Sequence, residues 1–493
     1  MPAIAFPADP SLENLRNRAR ALQRAVRAGD AAALARVAAR HSAEVSPGTF
    51  PLSLAQLVIA REHGFAGWPR LKRHLDVVAR HRRDLDPVAR ADPAEEFCRL
   101  ACLAYDGDDG PERWARARDL LAERPDLPRG SIWAAAAAAD PDAVRGLLAA
   151  DRSRARREGG PYALEPLLYL AYSRLDPAVR EEPVLTVARL LLDAGADPNA
   201  GFLWQGLAPP FTALTGTFGE GESGPGRQPR HPHSAALARL LLRAGADPND
   251  GQALYNRMFR PGDDHLELLF AFGLGKGDGG PWRARLGDAL DPPAELVRGQ
   301  LTWAIDRGFL DRVRLLAEHG VDVRAPLDDG HTPIEAAARG GHTEIVEFLE
   351  AAGARDPGIA GVDALVAACL ACDRAAVARL SGLLAQARAE RPALVVEAAE
   401  RGRTAALALL VELGFDVDAQ LDPATDARPV LGVSGGTALH WAAWRGDLGL
   451  ARLLLELGAD PGVRDARFGT TPLEWARHAS QDALAEFLAP LTG

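Results

Sequence analysis

Two fifteen-residue stretches match almost letter for letter: LTVARLLLDAGADPN at 185–199 and AALARLLLRAGADPN at 235–249. Each places Leu or Val at helical spacing, stops at Gly195 or Gly245, and turns on Asp-Pro. Glycine tolerates the left-handed conformation that closes a helix, and Asp-Pro favours a turn. A chain that repeats one such unit cannot bury its apolar face within the unit. It must stack neighbours into an elongated core, and 493 residues suit an array that grows by repetition.

The pattern is most complete at Gly436–Gly462, GTALHWAAWRGDLGLARLLLELGADPG. Thr437 is placed to cap a first helix, and Ala442 and Ala443 are small enough for close helix packing. Leu453, Leu454, Leu455 and Leu457 form the apolar face of a second helix, and Gly458 ends it. This stretch resembles an ankyrin repeat, whose consensus opens T-P-L-H-x-A-A and closes near G-A-D. The resemblance extends over 185–250 and 297–490. It implies an all-α solenoid of helical hairpins with short β-turn or hairpin loops, and a structural role for His342 and His440. Gly320 and Gly353 are 33 residues apart and Thr437 and Thr471 are 34 apart, the spacing of uninterrupted units. Gly195 and Gly245 are 50 apart because GEGESGPGRQPRHPH, 219–233, is inserted between them. A second insertion occupies 419–435.

A small residue followed by Asp recurs at Gly29-Asp30, Ala139-Asp140, Cys372-Asp373 and Gly446-Asp447, which extends the rhythm to the N-terminus. Four regions result: a helical cap region over 1–90, divergent helix pairs over 94–160, repeats with the first insertion over 161–293, and repeats with the second insertion and a terminal cap over 294–493. Within the first, AQLVIAREHGFAGWPRL is similar to a string found near ankyrin arrays in bacterial proteins, with Trp68 expected as a packing wedge.

Net charge is −10, which disfavours nucleic-acid binding by the chain as a whole. Residues 1–90 nevertheless hold 15 Arg/Lys against 8 Asp/Glu, so 16–83 is where such contact would be sought. Arginine outnumbers lysine 55 to 2, as in GC-rich bacterial proteomes. The N-terminus lacks the pattern of a signal peptide, and no apolar run reaches membrane-spanning length. Four cysteines make no disulfide framework, and a monomer in a reducing cytoplasm is expected. Cys369-x-x-Cys372 falls on small-residue positions of the repeat, so neither a metal nor another cofactor is expected. GLGKGDGG at 273–280 lacks the Lys-Ser/Thr ending of a phosphate-binding loop.

In the family's architecture the two positions after the alanine pair face a concave groove. Here they supply Asp306, Arg307, Arg339, Glu400, Arg401, Trp444 and Arg445. Arg and Trp are common interface anchors, so these residues are the expected partner-binding set of a non-catalytic protein-interaction scaffold, its protein partner unknown. The alternative is small-molecule binding or an unrecognised activity at 228–265, where Gln228, His231, His233, Tyr255, Asn256, Asp263 and His265 cluster in sequence. The insertion's polar residues are otherwise expected to be a solvated loop.

Overall fold

The structure, a computed structural model, describes residues 11–43, 45–175, 179–355, 357–421 and 435–492. Short helices follow one another in antiparallel pairs, and the small-residue–Asp break explains why. Gly29, Ala139, Cys372 and Gly446 all have positive φ, between 49° and 79°. The amide of the next aspartate then reaches back to the preceding helix, as from Asp447 to the Ala442 carbonyl (3.0 Å) and from Asp140 to that of Ala135 (2.9 Å). Its side chain caps the next helix, accepting from the amides of Ala33, Ala143, Ala376 and Leu450 at 2.7–3.0 Å. One dipeptide therefore closes one helix and opens the next.

The chain divides into two compact units, residues 1–257 with 268–296, and residues 258–267 with 297–493. In the first, helices Leu12–Arg27, Ala31–Arg40, Leu52–Glu62 and Trp68–His81 enclose Leu15, Leu22, Val58, Ile59 and Leu71. Trp68 packs on this cluster as expected. Part of the basic surface is neutralised from within: exposed Arg36 donates Nε and Nη2 to the buried Glu62 carboxylate, each at 2.9 Å. Strand Gly201–Trp204 pairs parallel with Arg82–Arg83 and antiparallel with Phe211–Thr212, a small sheet that adds to the helical reading.

The 219–233 insertion corrects the expectation of a solvated loop. The Glu220 amide donates to the Gln228 carbonyl (2.7 Å), His231 to Thr217 (3.1 Å), and the buried Arg174 guanidinium to the Pro229 carbonyl (2.7 Å). A Cβ on Gly219 would lie 2.3 Å from the Pro229 oxygen, so the fold requires glycine there. Arg227 is anchored on the carbonyls of Asp109 and Gly107, and Arg230 on Glu220. Limited trypsin digestion of the folded protein is therefore expected to spare Arg227 and Arg230 until global unfolding. Early cleavage at either would overturn this packing.

In the second unit, Thr437 caps helix Ala438–Arg445 as expected, and the cap is reciprocal: His440 Nδ1 accepts the Thr437 amide (3.1 Å). The other ring nitrogen meets the Thr470 carbonyl of the next repeat (3.0 Å), so this histidine is structural. Ala442 and Ala443 are fully buried. Thr471 and Glu474 repeat the reciprocal cap on helix Pro472–His478, and helix Asp482–Leu488 follows. Of the second insertion, 422–434 lies outside the described residues.

Candidate functional sites

The predicted groove residues sit where helices Pro293–Arg307, Pro333–Arg339, Leu394–Glu400 and Ala438–Arg445 end. The structure brings four of them together. Arg401 donates to Asp306 at 2.9 Å and to Glu397 at 3.2 Å, while Arg307 donates to the Glu400 carbonyl. Arg307 also lies over the Trp303 ring, 4.6 Å from its centroid. These groups are thus engaged by residues of their own array, more than 90 positions apart in sequence. Arg403 reinforces the closure, donating to the Gly341 and Leu370 carbonyls at 2.6 and 2.7 Å and approaching His342 Nδ1 at 3.2 Å. Burial, with the Arg403 charge, depresses the His342 pKa to about 4.

Arg339 pairs with Asp363 at 2.6 Å. Trp444 is not a bare platform: it is half-buried, edge-on to Trp475 and stacked on His478, each at 6.1 Å. Arg445 differs from the rest. It lies 5.5 Å from the Trp441 ring centroid and makes no ion pair among the described residues. Partial burial of its guanidinium, then the like charges of Arg260 and Arg307, hold it below the ordinary arginine pKa. Arg260, itself exposed, was absent from the sequence-derived set because it lies in the degenerate 251–275 unit, where no repeat position marks it.

A second candidate lies within the first unit, a cleft of about 640 Å³. Gln228, Tyr255 and Asn256, from the alternative set, line it. The other four do not. His231 is buried beside Ser173 and far below its ordinary pKa through burial, and His233 Nε2 meets the Val179 carbonyl at 2.9 Å. Asp263 binds Arg312 at 2.6 Å, and His265 is fully buried. Sequence proximity thus separated in space, while Tyr105, Trp204, Asp250 and Gln252 joined the cleft without a signal in the repeat pattern. Tyr105 accepts a hydrogen bond from Asn256 Nδ2 (3.0 Å), 151 positions away.

With paired helices, breaks and reciprocal caps established, comparison with known families is direct. Models of ankyrin repeats match residues 301–350, 365–465 and 396–492, all in the second unit. The second unit carries ankyrin repeats. Among curated proteins, it is similar to ankyrin repeat and SAM domain-containing protein 6 of Danio rerio, 33% identical over 165 residues. That alignment covers 33% of this chain and 20% of the relative. Myotrophin of Xenopus tropicalis is 42% identical over 55 residues, 11% of this chain and 47% of that protein. The chain thus spans less than half the length of either relative. Ankyrin repeats generally mediate protein–protein interaction. No helix among the described residues is long and apolar enough to cross a membrane.

Proposed function

We propose that the ankyrin array of the second unit is a non-catalytic scaffold that captures an acidic segment of a partner protein at Arg445 and Arg260. What supports this reading is that Arg445 and its neighbouring cation Arg260 form no ion pair among the described residues, with only Asp447 offsetting the like charges around Arg445, whereas Arg307, Arg339 and Arg401 are all engaged by the array. An acidic side chain placed between them relieves like-charge repulsion and gains charge-assisted hydrogen bonds. A monomer in the cytoplasm, as expected from the sequence, is the working form.

The test uses the full chain and immobilised peptides rich in Asp and Glu, with basic peptides of equal length as controls. The variant Arg260→Glu/Arg445→Glu is expected to bind acidic peptides about 10- to 100-fold more weakly, with unchanged helicity. Wild-type binding should also weaken with added salt. Reversal at Arg307 or Arg401 is uninformative, because it breaks the contacts with Glu400 and Asp306. Equal capture by wild type and the folded double variant sinks this reading.

A further inference from the structure

The cleft of the first unit has features that the ankyrin array does not account for. Its volume falls within the roughly 300–1,000 Å³ typical of small-ligand sites. Two deeply buried amides on its lining are incompletely satisfied. Gln252, 8% exposed, gives its Nε2 to Asn256 (2.8 Å), and its Oε1 makes no hydrogen bond among the described residues. Gln228, 5% exposed, accepts the Ser223 amide on Oε1 (3.2 Å), and its Nε2 likewise makes none among them. Neither atom is sealed from solvent, so an acceptor and a donor face whatever enters the cleft.

Tyr105 adds a third group. Its hydroxyl accepts from Asn256, and its own proton has no acceptor among the described residues. Its backbone sits at φ 58°, a left-handed conformation unusual for an aromatic residue. The Asp109 carboxylate fixes that conformation by accepting the amides of Ala104 and Tyr105 at 3.1 and 2.8 Å. The Tyr105 ring is edge-on to Phe211 at 4.9 Å. Trp204, beside Phe211, spends its indole N–H on the Ala104 carbonyl (3.1 Å), so it has no hydrogen bond left to offer and contributes its ring.

The charge of the lining is one-sided. Asp250 is buried and, among the described residues, is bound by neutral donors alone, the hydroxyls of Thr212 and Thr215 and the Ala253 amide. Asp247, Asp291 and Glu222 also line the cleft, against Arg283 alone. Aromatic faces beside uncompensated carboxylates favour a cation.

We propose that this cleft binds a small organic cation of the ammonium or guanidinium type, its charge facing the carboxylates and aromatic rings and its polar groups reaching Gln252 and Gln228. The same chemistry is carried by free amines and by a basic side chain of a peptide.

Calorimetric titration of the full chain with agmatine, choline and the tripeptide Gly-Arg-Gly tests this, with glycerol and malonate as neutral and anionic controls. Agmatine or choline is expected to bind while the controls do not. Tyr105→Phe and Gln252→Leu should each weaken binding by about tenfold, whereas Arg445→Glu should leave it unchanged. Tighter binding of the tripeptide than of agmatine assigns the ligand to a peptide side chain; the reverse assigns it to a free amine. If Gln252→Leu unfolds the protein, Tyr105→Phe and the exposed Glu222→Gln carry the comparison. Absence of binding by all three cations, equal binding of malonate, or cation binding indifferent to every folded cleft variant overturns the proposal. Because Arg445→Glu leaves the cleft intact, failure here is separable from failure of the acidic-partner reading.

Discussion

Arg312→Ala is expected to lower the stability of the second unit by about 3–5 kcal/mol, read as a reduced midpoint in urea denaturation of the full chain. The Arg312 side chain is wholly buried, and each of its three guanidinium nitrogens donates a hydrogen bond. Nε donates to Asp263 at 2.6 Å, and the terminal nitrogens donate to the Met258 and Arg260 carbonyls at 3.0 and 2.8 Å. The Phe309 ring lies 5.2 Å from the guanidinium carbon. Truncation removes all of these at once and leaves a carboxylate and two carbonyls with nothing to replace the lost donors. The double variant Arg312→Met/Asp263→Leu should recover part of the loss, since replacing both members of a buried pair avoids the orphaned charge. A change below about 1 kcal/mol for the single variant would refute the anchoring role. The contact also bears on function, because it holds the segment that presents Arg260. Partner capture should weaken along with stability.

Gly341→Ala is expected to be nearly as damaging, at about 3 kcal/mol, whereas Gly402→Ala should cost about 1 kcal/mol. The two glycines occupy equivalent breaks and share almost the same φ, 67° and 69°. Their surroundings differ. A Cβ on Gly341 would stand 2.6 Å from the Ala371 nitrogen and 2.8 Å from the Leu370 carbonyl carbon, both backbone atoms of the next repeat. Around Gly402 nothing lies within 4 Å. The strain of a left-handed alanine is common to both variants, so the difference in their melting temperatures isolates the cost of prying repeats apart. Cys372 and Ala139 show that a side chain is tolerated in this conformation where space permits. Equal shifts for the two variants would show that close repeat stacking contributes nothing there.

The pairing of helices, their breaks and their caps were legible in the sequence because each depends on residues close along the chain. Asp447 caps Leu450 three residues on, and Thr437 meets His440 at the same separation. The candidate sites were only half legible. The repeat alignment located Arg307, Arg401 and Arg445 on one face but contained nothing to say that the first two are spent on Glu400 and Asp306. Trp444 stood out as an exposed anchor until Trp475 and His478 were placed beside it. The polar composition of 219–233 suggested a solvated loop and carried no trace of the Pro229 carbonyl that buried Arg174 binds.

By itself, then, the amino-acid sequence determined the repeating hairpin, its turn geometry and the small residues that permit stacking, since local backbone preference and apolar periodicity act over a few residues. Tertiary structure alone decided which arginines pair within the array, which polar residues are buried, and that Tyr105 and Asn256 share a cleft. Those outcomes depend on charge pairing and close packing between groups some 50 to 150 positions apart, and no local pattern encodes the distance between them.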